Sequence, residues 1–373
     1  MVLGFPETGL GRREPGRYNP RRMEFLSDLT HSQFEEKLVA LGVERWRARP
    51  ILLWLHRRNA ASFDEMTDLS LELRAELAKH FTPYRTKVAD RHLSPDGTTK
   101  FLVQLEDGDV IETVLIPEED RRTVCISTQV GCPVACVFCA SGLNGLKRNL
   151  TTGEIVEQLL HVKRALPEEE RISNVVVMGI GEPLLNAKNL IQALKIMKAS
   201  WGMGIGYNRI TLSTVGVLGQ LPELVAQNVT PNLALSLHAP NDEIRAKVVP
   251  TMKNVKLTDI INAGYEYRKK TGKDVTFEYV LLEGVNDDKK HALELGKKIA
   301  GTKMKVNVIP FNRVEEVPYR APSKEKLDRF VEALGKCGVP VMVRKRKGDE
   351  VAAACGQLRA RFTAKKAECS SPT

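Results

Sequence analysis

Three cysteines lie close together near the middle of the chain, in the segment GCPVACVFCASG. Cys132, Cys136 and Cys139 form a C-x3-C-x2-C pattern, which spans at most about 25 Å even when extended at about 3.5 Å per residue. A loop that folds back can therefore present all three sulfurs to one small object. Three thiolates suit a soft metal centre, and three rather than four leave one coordination position open. The pattern therefore favours a catalytic iron–sulfur cluster that binds a small molecule and passes it an electron.

Two other uses of these cysteines fit the sequence less well. A structural zinc site needs four ligands, usually as two separated pairs, and no C-x2-C or H-x3-H partner follows at a suitable distance. A disulfide framework is disfavoured because seven cysteines are an odd number and the chain is long enough to form a core without crosslinks. Phe138, directly before the third cysteine, favours the cluster, because this pattern with an aromatic residue is typical of radical S-adenosylmethionine (SAM) enzymes.

Length and composition set broad limits. The chain has 373 residues, enough for one large domain or for a large and a small one, and its 42% hydrophobic and 27% charged residues are ordinary for a globular protein. No apolar run approaches the roughly 18 residues of a membrane span, so no membrane association is expected. The net charge of +10 makes a polyanion a reasonable partner, although a solvated basic surface has the same charge. Reduced thiols and an oxygen-sensitive cluster predict a cytoplasmic location.

The N-terminal part of the chain predicts a basic arm followed by a small helical domain. Residues 1–24 are rich in Gly, Pro and Arg without hydrophobic periodicity, which predicts a disordered arm, and Met23 is a candidate start codon. Residues 25–90 carry three short helical patterns, the first of which Gly42 closes. Trp46 and Trp54 lie among arginines in RWRARPILLWLHRR, which predicts either a basic RNA-binding surface or core positions; the core is favoured for Trp54.

Two kinds of sheet are expected beyond this domain. Residues 91–118 predict short antiparallel strands that form a linker, with turn signals at PDG and EDG. Residues 119–350 alternate strand and helix patterns. The predicted strands are 123–129, 174–180, 209–215, 232–237, 275–282 and 305–309, and the predicted helices are 152–165, 187–200, 217–227, 257–271, 288–300 and 323–335. Such alternation implies an α/β fold with a parallel sheet and right-handed crossovers, here a partial barrel of six units.

Unusual motifs follow the carboxyl ends of these predicted strands, where parallel α/β sheets bind ligands. The cysteine loop follows the first strand, and GIGEP follows the second; its glycines allow close backbone approach, and Glu182 can accept hydrogen bonds from an amine. The other candidates end the third, fourth and sixth strands: Ser213, Ser236, Leu237, His238 and Asn312. Each is weak alone, since a single histidine is more often a core residue. Their common placement predicts one shared site.

These motifs resemble the RlmN/Cfr family of radical SAM RNA adenosine methyltransferases. The likeness runs from about residue 25 to 360 and is carried by IETVLIP around Glu112, CISTQVGCPVACVFCASGLNGLKRNLTTGEIVEQ, GIGEPLLN, ITLSTVG, LSLHAPND, TFEYVLLEGVND, IPFN and AAACGQL. The resemblance implies a helical N-terminal domain joined to a partial (β/α)6 barrel. It also implies that residues 351–373 form a C-terminal segment that carries a catalytic cysteine and ends in a disordered tail.

The resemblance implies roles for individual residues. Cys132, Cys136 and Cys139 would hold a [4Fe–4S] cluster whose open iron binds the amino and carboxylate groups of SAM. The positions that match SAM-binding residues are Gly181, Glu182, Ser213, Ser236, Leu237, His238 and Asn312. The catalytic positions are Cys355, which would be methylated as an intermediate, Cys125, a second catalytic cysteine, and Glu112, a proton acceptor.

The implied mechanism explains why two further cysteines are needed. An adenine ring carbon at position 2 or 8 is electrophilic, so it does not readily attack a sulfonium methyl group. One SAM would methylate the Cys355 thiolate by displacement. A second would yield a 5′-deoxyadenosyl radical that removes hydrogen from the S-methyl group, and the resulting radical would add to the adenine. Cys125 would then attack the Cys355 sulfur, forming a disulfide as the methylated base leaves.

Several alternatives stay open at the level of sequence. The expected product is a carbon-2 methylated adenosine in 23S ribosomal RNA, with transfer RNA as a further substrate; carbon-8 methylation, which gives antibiotic resistance, is the alternative within the family. A glycyl-radical activase would share the cluster loop without needing Cys355. A zinc-dependent RNA-binding module is the alternative from another class. The expected partners are RNA and an electron donor such as flavodoxin or ferredoxin, and a monomer is expected.

The sequence departs from the family pattern just before Cys355. Lys345 and Lys347 stand where smaller residues are more usual, which affects how substrate would fit. Basic residues there and in the N-terminal domain are candidates for contacts with the RNA backbone. Cys337 and Cys369 are expected to have no catalytic role.

Overall fold

The computed structural model of the protein describes residues 23–344 and 347–359. Lys345, Cys369 and the predicted C-terminal tail beyond residue 359 therefore lie outside the described residues, as does the predicted basic arm up to residue 22. Glu24, the last residue of that predicted arm, begins a short strand. Within the described residues, no helix is both long and apolar enough to cross a membrane.

The N-terminal region contains the three predicted helices. These are α1 (His31–Ala40), α2 (Ala48–His56) and α3 (Leu71–His80), flanked by the parallel two-stranded pair β1 (Glu24–Phe25) and β2 (Phe81–Thr82). Thr30 and Gln33 form a capping box that begins α1, and Gly42 follows the helix at a φ of +74°. The buried faces of α1 and α2 pack together, so the prediction of a small helical region is confirmed.

The two tryptophans of this region differ in their surroundings. Trp54 packs partly buried against the hydrophobic core, where its Nε1 donates to Asp68 and the Arg58 guanidinium lies 4.1 Å from its ring. Trp46 is 63% exposed, with the Arg47 guanidinium 4.6 Å from its ring. Trp54 therefore lies at the edge of the core, partly buried, whereas Trp46 is exposed beside an arginine.

One ten-stranded sheet forms the body of the protein. Its strands are β3 (Lys87–Leu93), β4 (Thr99–Gln104), β5 (Val110–Pro117), β6 (Arg122–Cys125), β9 (Asn174–Val177), β10 (Ile210–Thr214), β11 (Asn232–Ser236), β12 (Val275–Leu281), β13 (Lys305–Pro310) and β14 (Val341–Val343). Their order is β14-β13-β12-β11-β10-β9-β6-β5-β4-β3. The strands from β6 to β14 are parallel and form the predicted partial barrel. The strands β3–β5 are antiparallel and extend the same sheet, because β5 pairs with β6.

The helices that connect the parallel strands match the predicted pattern with one addition. They are α4 (Thr152–Ala165), α5 (Ala187–Lys198), α6 (Leu221–Ala226), α7 (Asp242–Val248), α8 (Leu257–Thr271), α9 (Lys289–Ile299) and α10 (Lys324–Lys336). The short helix α7 was not predicted, because its seven residues give too little periodicity to recognise. Alternation along the strands decides which side chains face the barrel interior. In β10, Ile210 and Leu212 pack into the main core, so Thr211 and Ser213 face the other side.

The first strand of the barrel is shorter than the predicted range of 123–129, so this prediction is wrong at its carboxyl end. β6 ends at Cys125, and Gln129–Gly131 (β7) leaves the sheet to pair with Leu146–Asn149 (β8). Gly131 has a φ of +77°, and a Cβ at this position would lie 1.9 Å from the carbonyl oxygen of Gly145. This close backbone approach closes the β7–β8 hairpin, whose connecting loop carries the three cysteines.

A buried carboxylate joins the N-terminal region to the barrel. Glu157 on α4 accepts hydrogen bonds from the backbone N–H groups of Arg85 (3.0 Å) and Thr86 (2.8 Å), and from the hydroxyls of Thr86 and Ser27. The residue is fully buried, and this burial raises the pKa of the carboxyl group to about 7. The contacts fix the N-terminal segment against α4.

We expect Glu157→Gln to lower the free energy of unfolding by about 2–4 kcal/mol, because the amide NH2 would face N–H and O–H donors in either orientation. Urea unfolding followed by circular dichroism measures the change. Glu169→Gln, at an exposed position beyond the same helix, is the matched control and should be close to neutral. Equal effects of the two substitutions would contradict the assigned role of Glu157.

Candidate active site at the carboxyl edge of the sheet

The loops at the carboxyl ends of the parallel strands surround a cavity of about 160 Å³. Most residues that the sequence pointed to line this cavity: Cys132, Cys136, Cys139, Gly181, Glu182, Ser213, Ser236, His238, Asn312 and Cys355. Leu237, Cys125 and Glu112 are not among the lining residues. The structure therefore brings the cysteine loop, the strand-end motifs and the AAACGQL segment to one place.

Backbone hydrogen bonds hold the cysteine loop in a compact form. The N–H of Cys132 donates to Gly145 (3.0 Å), and that of Cys139 donates to Cys136 (3.0 Å). Ala135, between the first two cysteines, has a φ of +49°, which lets the loop reverse its direction. Burial raises the pKa of Cys132 to about 12 and also raises the pKa values of Cys136 and Cys139. Neighbouring thiolates of the loop raise the pKa values of Cys132 and Cys136 further. For Cys139, this further contribution comes from Cys355. Three thiols so close together need a cation to become thiolates.

The donor set suits an iron–sulfur cluster. Cys132, Cys136 and Cys139 line one cavity wall, and cysteine thiolates are the usual ligands of such a cluster. Across residues 23–344 and 347–359, no group of three or more His, Cys, Asp or Glu side chains is arranged to hold a metal ion. Asn312 Oδ1, on the same cavity, is buried without a hydrogen-bond partner, so the cavity also offers an acceptor for a bound molecule.

Glu182 is held rigidly beside the cysteines. Its carboxylate accepts hydrogen bonds from Thr214 Oγ1 (2.8 Å), Val215 N (2.9 Å) and Leu184 N (3.1 Å). Burial raises the pKa of this carboxyl group to about 7. A carboxylate has about four acceptor positions, so one remains for an amine donor in the cavity. Gly181 precedes it at a φ of +113°, a conformation that only glycine adopts easily.

Neighbouring strands contribute the remaining polar groups. Ser213 Oγ and Ser236 Oγ lie 3.4 Å apart at the ends of β10 and β11. His238 Nδ1 accepts from the N–H of Val280 (3.0 Å), and its ring meets Phe138 edge-on at 4.9 Å between centroids. Burial lowers the pKa of His238 to about 3, so the ring is neutral and carries its proton on Nε2. The side chain of Leu237 is buried in the core, so any contact of this residue with a bound molecule runs through its backbone.

Sequence reasoning missed the buried Arg245 of α7, which shapes this edge of the sheet. Its guanidinium donates to the carbonyl groups of Ser236 (2.9 Å), Leu237 (2.5 Å) and Val215. The side chain is 1% exposed, and burial lowers its pKa to about 10. It therefore fixes two neighbouring strand ends at once. No pattern in NDEIRAKV distinguishes this arginine from a surface residue.

The segment that carries Cys355 closes one side of the cavity. The carbonyl group of Cys355 accepts from Asn312 Nδ2 (3.0 Å), and that of Gly356 accepts from the N–H of Ala140 (2.8 Å) beside the third cluster cysteine. Cys355 also lines a second cavity of about 560 Å³, which runs past the exposed Met342 and Val343. Cys355 therefore borders both cavities, which are called below the inner cavity, lined by Cys132, Cys136 and Cys139, and the outer cavity, lined by Met342 and Val343.

Cys125 and Glu112 lie behind this segment. Cys125 is 7% exposed at the end of β6, and burial raises its pKa to about 12, with a further contribution from the Cys355 thiolate. The two side chains interact electrostatically and both are free thiols, so the disulfide between them stays a prediction. Glu112, on β5, accepts from the N–H of Arg359 (2.8 Å) and lies 3.3 Å from Lys100 Nζ. It stays a predicted proton acceptor.

Two charged residues at the cavities were also missed. Arg344 lines both cavities, and its pKa is raised above the ordinary value, first by the Cys355 thiolate. Glu278 lines the inner cavity, where burial raises its pKa and Asn307 Nδ2 donates to it at 2.8 Å. A single acid within the apolar strand VTFEYVL was a usable signal for Glu278. Arg344 lies in the basic run VRKRK, in which nothing distinguishes it from surface residues.

We expect Arg344→Gln to slow methylation of Cys355 about tenfold, because it removes a cation that interacts electrostatically with the Cys355 thiolate, the form that attacks SAM. Arg344→Lys keeps the positive charge and should retain more of the rate. Mass spectrometry of the Cys355 peptide after incubation with SAM measures the rate of each variant. Arg320→Gln, at an exposed site, is the control. Equal losses in Arg344→Gln and Arg344→Lys would show that Arg344 acts through packing rather than through its charge.

Comparisons with known proteins agree with this site. Residues 126–296 match the radical SAM superfamily, and residues 25–82 match the ribosomal RNA large subunit methyltransferase N-terminal domain. Proteins named probable dual-specificity RNA methyltransferase RlmN are similar over most of their length. The protein from Rhodopirellula baltica is 45% identical over 91% of each chain, and that from Bacillus licheniformis is 46% identical over 86% of this chain and 89% of its own.

A solved structure supports the same relationship. The crystal structure of a radical SAM methyltransferase from Sphaerobacter thermophilus superimposes with a TM-score of 0.87 at 42% identity and covers 91% of this chain and 100% of its own. Members of the radical SAM superfamily use a [4Fe–4S] cluster and SAM, which suits the three cysteines on the cavity wall. The chain therefore belongs to the RlmN/Cfr family of radical SAM RNA methyltransferases.

Proposed function

We propose that this enzyme methylates carbon 2 of an adenosine in 23S ribosomal RNA and in transfer RNA, through a methylated Cys355. The observation that carries the proposal is that Cys355 lines two cavities, one together with Cys132, Cys136 and Cys139 and the other together with the exposed residues Met342 and Val343. A thiol in this place can receive a methyl group from the inner side and present it to a base on the outer side.

In this proposal the inner cavity holds the cofactors. Cys132, Cys136 and Cys139 would hold the [4Fe–4S] cluster, and Glu182 would accept a hydrogen bond from the amine of SAM, of which two molecules are used per turnover. The cluster and SAM together supply a 5′-deoxyadenosyl radical. The other SAM contacts are assigned to groups that line the cavity or support its wall: Gly181, Ser213, Ser236, Leu237, His238 and Asn312.

Cys355 and Cys125 carry the group transfer on the protein side. The Cys355 thiolate, which interacts electrostatically with Arg344, would take the methyl group, and the backbone of this segment is held in place by the Asn312 amide and the Ala140 N–H. After the S-methyl carbon has become bonded to the base, the Cys125 thiolate would attack the Cys355 sulfur and form a disulfide; the S–C bond breaks with its electron pair on the carbon, which takes up a proton and leaves as the methyl group of the base. The burial of Cys125 keeps it as a thiol until a base removes the proton, a role we assign to Glu112 or to a group on the substrate.

The outer cavity is the proposed entry of the adenine base. Met342 and Val343, which are 56% and 42% exposed, provide an apolar surface next to Cys355, and Arg121 and Lys347 add positive charge. Bases stack well on such surfaces when they are taken out of a helix. Lys347, one of the two departures from the family pattern, would therefore contact RNA phosphate rather than obstruct substrate.

We assign RNA binding to residues 25–90, the β extension to 91–118, the catalytic core to 119–350 and the methylated cysteine to 351–373. Exposed Trp46, with Arg47 stacked on its ring, offers an aromatic and basic contact for RNA. A cytoplasmic monomer that receives electrons from flavodoxin or ferredoxin fits the need for reduced thiols and a reduced cluster.

The test is anaerobic turnover with deuteromethyl SAM, a reductant and unmethylated ribosomal and transfer RNA, followed by mass spectrometry of the nucleosides. We expect label in 2-methyladenosine from both RNAs. Label in 8-methyladenosine would contradict the carbon-2 assignment and place the enzyme in the carbon-8 branch. Absence of label, with iron bound and a related enzyme active under the same conditions, would overturn the proposed substrate.

A further inference from the structure

A second site lies on the opposite side of the protein from the cysteines. A cavity of about 490 Å³ opens between the end of α2, the end of α4 and the loops that precede β9 and β10. The helix α4 begins near the cysteine loop and ends at this cavity. Its 14 residues span about 21 Å at about 1.5 Å per residue, so the cavity is well separated from the catalytic edge of the sheet.

The cavity is lined by four cations from four separate segments. They are Arg57, Lys163, Arg171 and Arg209. No Asp or Glu is among the described residues that line the cavity, and none of the four cations forms a salt bridge within the described part of the chain. Like charges that converge without a carboxylate oppose folding, so a cavity of this kind is stabilised by an anion.

Two of the cations are already fixed in place. Arg57 Nε donates to the carbonyl group of Gly202 at 3.3 Å, and a side chain at Gly204 would lie 2.9 Å from Arg57 Nη2. Lys163 Nζ donates to the backbone carbonyl groups at the end of α2, including that of His56 at 3.4 Å. Burial, together with the charge of Arg57, lowers the pKa of Lys163. Arg171 and Arg209 lie exposed at the rim, where they can close on a ligand.

A buried histidine provides an independent observation. His56 lines the cavity, is 0% exposed, and makes no hydrogen bond through either ring nitrogen. A buried imidazole without a hydrogen-bond partner lowers the stability of the fold, because its N–H group and its nitrogen lone pair lose their hydrogen bonds to water and gain none in the protein. Its ring lies 5.9 Å from that of Trp201, a contact that leaves both nitrogens unsatisfied. A bound anion that accepts the imidazole N–H would satisfy it.

We infer that this cavity binds a phosphate group, supplied either by an RNA backbone or by a small phosphorylated molecule. The tetrahedrally arranged oxygens of a phosphate can accept hydrogen bonds from several guanidinium groups at once. A single carboxylate, with two oxygens in one plane, is less suited to this. The apolar side chains of Leu159, Ile172, Met203 and Ile205 complete the wall and would contact a less polar part of the ligand. The inference does not depend on the methylation chemistry, because the site lies at the other end of α4.

The experiment compares binding by the full-length protein without SAM. Arg171→Gln combined with Arg209→Gln is the site variant; both residues are exposed, so the fold should be retained. Lys269→Gln combined with Lys270→Gln, exposed on α8, is the control with the same change of charge. The probes are inorganic phosphate, adenosine monophosphate and a structured RNA, each titrated by calorimetry or fluorescence anisotropy at several salt concentrations.

Either of two results supports the phosphate site and identifies its source. A small phosphorylated ligand is indicated if the site variant loses about tenfold in affinity for phosphate or adenosine monophosphate while the control does not. An RNA backbone is indicated if the site variant weakens only RNA binding. The slope of log affinity against log salt concentration should then fall, relative to the control, by the amount expected for the loss of about two phosphate contacts. Equal behaviour of the site variant and the control with all three probes would overturn the inference, and would leave the proposed methylation untouched.

Discussion

Cys125→Ala is expected to accumulate a covalent complex between the enzyme and its RNA. Once the one-carbon bridge from Cys355 to the adenine has formed, release needs a second thiol to attack the Cys355 sulfur. Cys125 is placed for this attack, since its thiol is buried behind the segment 353–358 and interacts electrostatically with Cys355. Alanine removes the nucleophile and little volume, so binding and the earlier steps should continue.

Denaturing gel electrophoresis after anaerobic turnover measures this adduct, with nuclease digestion and peptide mass spectrometry to place it on Cys355. Cys337→Ala is the matched control, because Cys337 is another free, partly buried thiol. It lies at the carboxyl end of α10, and it lines neither cavity. The control should turn over normally and form no adduct. A Cys125→Ala enzyme that releases methylated RNA at the normal rate would refute the assigned role of Cys125.

Cys355→Ala is expected to abolish RNA methylation, with a loss of about a thousandfold or more, because Cys355 is the only cysteine among the described residues that lines both cavities. Iron content and the broad absorption near 400 nm after reconstitution should be retained, since the cysteines assigned to the cluster are different residues. Nucleoside mass spectrometry measures the product, and intact-protein mass spectrometry shows whether the protein gains a methyl group.

The double variant Cys125→Ala/Cys355→Ala separates the two roles. If the adduct forms through Cys355, the double variant forms none and resembles Cys355→Ala alone. An adduct that persists in the double variant would mean that another residue carries the carbon, and methylated RNA from Cys355→Ala would exclude a methylcysteine intermediate at this position. The two thiols form one functional unit, so the effects of the single substitutions should not add.

Much of this site was already apparent in local sequence patterns. The cysteine spacing lies within one loop, and motifs such as GIGEP and LSLHAPND directly follow strand patterns of period two. Parallel pairing then places every strand end at one edge, which is why these residues meet around the inner cavity. The same local patterns predicted the helices of the barrel, except α7, and the three helices of the N-terminal region.

Other features depend on contacts between distant segments, which no local pattern records. Arg344 belongs to a basic run that looks like surface, and it becomes part of the site only because β14 pairs with β13 and directs it towards Cys355. The role of Arg245 depends on the unpredicted α7, and Glu157 is buried only because the N-terminal region packs against α4.

The sequence by itself determined the cluster loop, the strand-end motifs and the family, because each lies within a short stretch whose spacing limits its chemistry. Only the tertiary structure decided that Cys355 lines two cavities, that Cys125 lies behind it, and that Glu112 is turned towards Arg359 and Lys100. It alone also gathered Arg57, Lys163, Arg171 and Arg209 around His56. The physical reason is that burial and charge are set by which segments pack together, and those segments are separated by up to hundreds of residues along the chain.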